Sequence, residues 1–152
     1  SDILIFAVQP TQFERILEEI KDELTDKHVL ISTVTGFKIP RIEEIIGQDH
    51  YIIRSLPNTA IAVGKSMTCL CSNEAGEKRI KIAEAIFNRL GTSIIIPENK
   101  MQAATVICAS ELSPQNTSAI SSIRKNSLAD ILENKELVAS FSKSRACRSS
   151  CT

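Results

Sequence analysis

Three short segments hold the residue types that could meet a ligand. In Ala7-Val8-Gln9-Pro10 an apolar run breaks at an amide and a proline, and Thr11 with Glu14 forms a candidate capping box for the helix that follows. Ser32-Thr33-Val34-Thr35-Gly36 opens a second apolar run into hydroxyls and a turn glycine. Arg54-Ser55-Leu56-Pro57-Asn58-Thr59 closes a third with a cation, a proline and a two-headed amide. The chemistry on offer is binding: backbone N–H groups at a helix start receive an anion or the polar edge of a ligand. Each segment also reads as an ordinary loop. Pro10 and Pro57 are strand stops, and Asn58 before Thr59 is a common turn pair.

Groups suited to metal or covalent chemistry are sparse. The five cysteines, Cys69, Cys71, Cys108, Cys147 and Cys151, are odd in number and form no C-x-x-C pair. They read as buried or idle thiols in a reducing cytoplasm, neither a disulfide framework nor a zinc site. His28 and His50 are isolated; His28 begins an apolar run, and His50 stands at the amino end of a strand. No metal site is expected, and no catalytic acid is legible. Formal charge sums to zero, with 24% charged and 43% apolar residues, which argues against an electrostatic nucleic-acid binder. The longest apolar run falls well short of the ~20 residues of a membrane helix. Ser1-Asp2 leads straight into strand-like sequence without a signal segment, so a soluble cytoplasmic chain is expected.

The elements that must position those segments follow from apolar periodicity. Ile3 to Val8 is a continuous apolar run, the pattern of a strand buried on both faces of a parallel sheet. Phe13, Ile16, Leu17, Ile20 and Leu24 share one helical face. Val29 to Thr33 is a second strand, and Ile39, Ile42, Ile45 and Ile46 predict a short helix stopped by Gly47. Tyr51 to Arg54 is a third strand, and the stretch from Ala62 to Cys71 supplies one or two more. Ile80, Ala83, Phe87 and Leu90 form another helical stripe with Gly91 just past its end, and Ser93 to Ile96 is a further strand before Pro97. This rhythm predicts an α/β architecture with a mostly parallel sheet, whose ligand site lies at the carboxyl ends of its strands.

Beyond residue 110 the character changes. Residues 111–152 are serine-rich; only Ile120 to Phe141 has a partial helical stripe, and 141–152 reads as a disordered tail.

The same three segments resemble the pyrroline-5-carboxylate reductases. Asp2 to Pro10 matches that family's strand ending in Ala-Val-Lys-Pro, Leu30 to Gly36 its Ser-x-Ala-Ala-Gly, and Ile53 to Thr59 its Arg-x-Met-Pro-Asn-Thr, in order and spacing. Gly64, Glu98 to Met101 and Thr105 also stand where the family has comparable residues, so the match covers roughly residues 2–110. The resemblance implies NAD(P)H-dependent reduction of 1-pyrroline-5-carboxylate to L-proline by a homo-oligomer. It implies a Rossmann-like dinucleotide-binding domain followed by a helical dimerisation domain. On it, residues 1–97 are the C-terminal portion of the first domain and 98–140 the start of the helical region. Ala7, Val8, Gln9 and Pro10 fall in one cofactor loop, Thr33, Val34 and Thr35 in a second, and Asn58 beside the active site.

The sequence departs from the family pattern at several points. Gln9 stands for the usual lysine, Val34 and Thr35 add bulk where two alanines are usual, and Leu56 replaces methionine. No G-x-G-x-x-G occurs, and after Ser110 neither the family's long helices nor its substrate loop appears. The expectation is an incomplete Rossmann-like domain, inactive as a single chain and prone to associate along an uncovered sheet edge. The break after Ser110 implies either a truncated or shifted reading frame or divergence. A non-catalytic α/β binding module or remnant, or another NAD(P)-dependent reductase, is the alternative.

Overall fold

The computed structural model describes residues 2–57 and 66–110. Five strands, β1 (Ile3–Phe6), β2 (Val29–Ser32), β3 (Tyr51–Pro57), β4 (Ser66–Ser72) and β5 (Gly91–Ile95), form one sheet in sequence order. Helix α1 (Pro10–Ile20) joins β1 to β2, α2 (Ile39–Ile46) joins β2 to β3, and α3 (Ile80–Phe87) joins β4 to β5. Helix α4 (Glu98–Ser110) follows. Three of the four pairings are parallel, and β3 with β4 is antiparallel. The exception has a length cause: only residues 58–65 separate β3 from β4, whereas a parallel crossover takes about a dozen or more. The mostly parallel α/β architecture expected from the sequence is the observed one.

Alternation along the strands sends residues to two cores. Leu30, Ile52, Cys69 and Cys71 face Phe13, Leu17, Ile39 and Ile42 of α1 and α2 and Met101 and Ala104 of α4. Val29, Ile31, Ile53 and Leu70 face Ile80, Ala83 and Phe87 of α3. Strand β2 is buried along its whole length, as a central strand with both faces covered must be. Strand β1 is not, which corrects the expectation of double burial there. Among the described residues it pairs only with β2, and Ile5 is 52% exposed on the edge.

Local details correct two further expectations. The capping box does not form: α1 begins at Pro10, one residue before Thr11, with Gln9 as its N-cap and no capping side-chain bond. Proline's fixed φ and missing N–H suit that first position, and Glu14 pairs instead with Arg41. Helix α3 ends at Phe87 with Asn88 as its C-cap, short of Leu90, and Gly91 does not follow its end but starts β5 with φ 148°. A Cβ there would come within 2.0 Å of the Ser66 carbonyl, so the close approach of β5 to β4 requires glycine. The expected helix over 120–141 and the tail lie outside the described residues.

One side chain without any motif around it, Asn73, ties the sheet's opposite end together. Asn73 Oδ1 accepts the N–H groups of Ile52 (3.1 Å) and Gly76 (2.8 Å). Its Nδ2 donates to Glu43 Oε1 (3.0 Å) and to the carbonyls of Gln48 (3.2 Å) and His50 (3.0 Å). Asn73→Ala leaves two buried N–H groups unpaired, and we expect it to lower unfolding free energy by roughly 2–4 kcal/mol. Urea unfolding of the two proteins measures it; a difference under ~0.5 kcal/mol would show water replacing the amide without cost.

Candidate functional site

Parallel alignment brings the carboxyl ends of β1, β2 and β3 to one edge, because Phe6 is in register with Ser32 and Ser32 with Arg54. The first two sequence segments meet there. Thr33 donates twice to the Phe6 carbonyl, from its backbone N–H and from Oγ1, both at 2.9 Å. Two donors on one carbonyl fix the end of β2 against the point where β1 turns into α1. Ala7, Gln9 and Pro10 are exposed there and Val8 half-buried. Thr33 is half-buried and Thr35 exposed, while Gly36 takes the turn at φ 83°.

Val34 differs from the sequence expectation. Its side chain is 3% exposed and belongs to the core, and its N–H is held by Ser32 Oγ at 3.2 Å. The extra bulk relative to alanine therefore fills the interior and does not crowd the edge. Asn58 lies outside the described residues.

The third segment contributes Arg54. Its guanidinium, 6% exposed, sits on the face of β3 that looks toward α2 and α4 and donates to Glu98 Oε1 at 2.8 Å. The same oxygen accepts the backbone N–H of Ile39 at 2.7 Å. A buried guanidinium without a carboxylate is strongly disfavoured, so β3 and the first residue of α4 are bound as a pair. The two helix starts at this edge consequently differ. That of α2 is occupied by a carboxylate delivered from 59 residues away, whereas that of α1 has only the Gln9 carbonyl, which accepts Gln12 and Phe13 N–H. Glu98 directly after Pro97 is the sequence signal of an acidic helix start; its partner across the fold is not legible there.

Cys71 lies beside Arg54 in the β3–β4 register. Burial pushes its thiol from the ordinary 9.0 up to about 12, the Arg54 charge offsetting only part of that. The thiol is neutral at physiological pH and serves as a small apolar core residue. Its raised folded value favours the fold below the unfolded pKa, and the contribution falls as pH rises from 9.0 toward 12. We expect Cys71 to resist iodoacetamide at pH 8 in the folded chain and to react once unfolded, by peptide mass mapping. Equal labelling rates in both states would contradict the burial.

An open groove of about 700 Å³ lies on the opposite face, lined by Ile3, Ile82, Ile86 and Leu90 with Lys81 and Arg89. It has no converging polar groups and is remote from the strand ends just described. His28 Nδ1 accepts the Thr25 N–H at 2.9 Å, a local turn contact. No helix among the described residues is long and apolar enough to cross a membrane.

A mostly parallel sheet with crossover helices and a loop-lined carboxyl edge defines the class: an α/β protein of Rossmann-like type. Comparison with known proteins gives the relationship. The chain is 37% identical over 119 residues to pyrroline-5-carboxylate reductase 1 of Dictyostelium discoideum, a match spanning 70% of this chain and 22% of that protein. It is 33% identical over 113 residues to the pyrroline-5-carboxylate reductase of Schizosaccharomyces pombe, across 72% of this chain and 40% of the relative. Among solved structures, Plasmodium falciparum pyrroline carboxylate reductase with NADP bound superposes with a TM-score of 0.66 at 29% identity, covering 97% of this chain and 60% of the other. No family model matches. Over the matched stretch the chain is a partial match to the pyrroline-5-carboxylate reductases, the family its motifs resemble. It spans well under half the length of these curated relatives.

Proposed function

We propose that this chain is part of an NAD(P)H-dependent reductase that converts 1-pyrroline-5-carboxylate to L-proline. The observation that carries the reading is the junction at Phe6, which joins the two segments that match the family's cofactor loops. On this reading the cofactor runs along Ala7, Val8, Gln9 and Pro10, then Thr33, Val34 and Thr35, with Asn58 nearer the substrate. Residues 1–97 are the dinucleotide-binding portion and 98–140 begin a helical region that pairs in a cytoplasmic homo-oligomer.

The residues fit such a group in a specific way. The start of α1 has no capping side chain; Pro10 carries no N–H and Gln12 and Phe13 donate to the Gln9 carbonyl, which leaves the Thr11 N–H and the helix dipole to meet an anion. With Val34 turned inward, the second loop offers mainly backbone and the Thr35 hydroxyl. When bound, the nicotinamide supplies hydride to the imine carbon. The chain's own part is to orient that group along the strand ends, and positioning of this kind is a large share of such a rate enhancement. Because the 152 residues hold no G-x-G-x-x-G, the chain alone is expected to bind weakly and to show no turnover.

Titration of NADPH into isotope-labelled chain tests the reading, since amide shifts report even millimolar binding. Expected changes are confined to the amides of 7–9, Thr11 and 33–36, since Pro10 has none; none there, or changes centred on the α3 groove, would refute it. Gln9→Lys should tighten binding, but by well under the ~1.5–3 kcal/mol of a charge-assisted bond because the site is exposed. NADPH oxidation with 1-pyrroline-5-carboxylate, measured on the same sample, should stay at background.

A further inference from the structure

Three arrangements outside the cofactor-loop assignment stand out: the apolar groove beside α3, the Asn73 hub and the Arg54–Glu98 pair. The pair bears most directly on the strand-end rim. Glu98 Oε1 is shared between Arg54 Nη1 at 2.8 Å and Ile39 N–H at 2.7 Å. Ile39 is 4% exposed and is the first residue of α2, so its amide marks where the second loop, residues 33–38, ends. The beginning of that loop is fixed by the two Thr33 bonds to Phe6. The loop is therefore held at both ends, once by β1 and once by a carboxylate from α4.

We infer that Glu98 is a positioning residue for the second loop, with buried Arg54 orienting its carboxylate and the Ile39 amide transmitting the restraint. This rests on the cofactor reading above. Three features of the pair argue for positioning over simple cohesion. The carboxylate is the charged partner a buried guanidinium requires, and its orientation is fixed by a group on a central strand. It caps α2, so it completes that helix start and leaves the start of α1 as the open one. It also links the loop to α4, so a ligand that stiffens residues 33–38 favours one placement of that helix, and the coupling is reciprocal.

Glu98→Gln removes the charge while keeping the shape, and Asn73→Ala is a destabilised control at the other end of the sheet. Amide exchange in the unliganded full chain is read first. In Glu98→Gln, exchange at Ile39 and its neighbours in the second loop should rise about tenfold relative to β2, whereas Asn73→Ala, which frees the Ile52 amide of β3, should leave that ratio to β2 unchanged. NADPH titration by amide shifts follows. The dissociation constant should rise at least fivefold in Glu98→Gln and stay within twofold of wild type in Asn73→Ala. If Glu98→Gln does not fold, the Arg54→Met/Glu98→Gln double variant removes both charges together and is subjected to the same two measurements. Unchanged local exchange, or an equal loss of affinity in the control, would overturn the role of Glu98. Absence of NADPH binding by the wild-type chain would instead overturn the cofactor reading, while local exchange still reports whether Glu98 restrains the loop.

Discussion

The architecture of the strand-end rim depends on one buried guanidinium. Arg54 lies in the middle of β3, on a face otherwise lined by Ile52, Leu56, Cys69 and Cys71, where an unpaired charge is not tolerated. Its requirement for a carboxylate recruits Glu98, and with it the first turn of α4. That placement lays Met101 and Ala104 on the α1–α2 core and leaves one carboxylate oxygen able to accept the Ile39 amide as well. A single ion pair so connects a strand, two helices and a loop that are distant in sequence. Neighbouring Cys71 shows the same environment from the other side: its thiol is driven to the neutral state by burial, despite the adjacent cation.

The two ends of the sheet solve the same polar problem differently. At the carboxyl edge, backbone groups are matched by a charged pair and by the paired donors of Thr33. At the opposite edge the neutral amide of Asn73 serves five partners at once. A neutral hub accommodates several chain reversals without a desolvated charge. Aromatic packing supports the carboxyl edge: Phe6 and Phe37 both lean on Phe13, with ring centroids 5.2 and 5.0 Å apart. The ring of Phe6 thus anchors the residue whose carbonyl receives Thr33.

Exposure is distributed unevenly over the two faces. The α1, α2 and α4 side is covered, while on the α3 side Ile5 and the groove beside Ile3 remain open among the described residues.

Much of this was written in the sequence, because short-range physics decides it. Apolar runs of four to seven residues separated by 3.6-periodic stripes specify β2, α2 and β3 directly, and Gly47 marks the end of α2 where a left-handed residue is needed. The loops at Ala7–Pro10 and Thr33–Thr35 were recognisable from their residue types and from the family motifs they resemble. Three things were settled only by the tertiary structure. Strand β1 reads as doubly buried, yet its burial depends on which strands flank it, and no local pattern encodes that. The inward turn of Val34 depends on a core that gathers Phe13 and Ile39 with it, residues that only helix packing brings into one cluster. The carboxylate that restrains the second loop lies 59 residues from the amide it holds, and only a folded sheet makes them neighbours. Sequence fixes which groups need partners; long-range packing decides which partner each one finds.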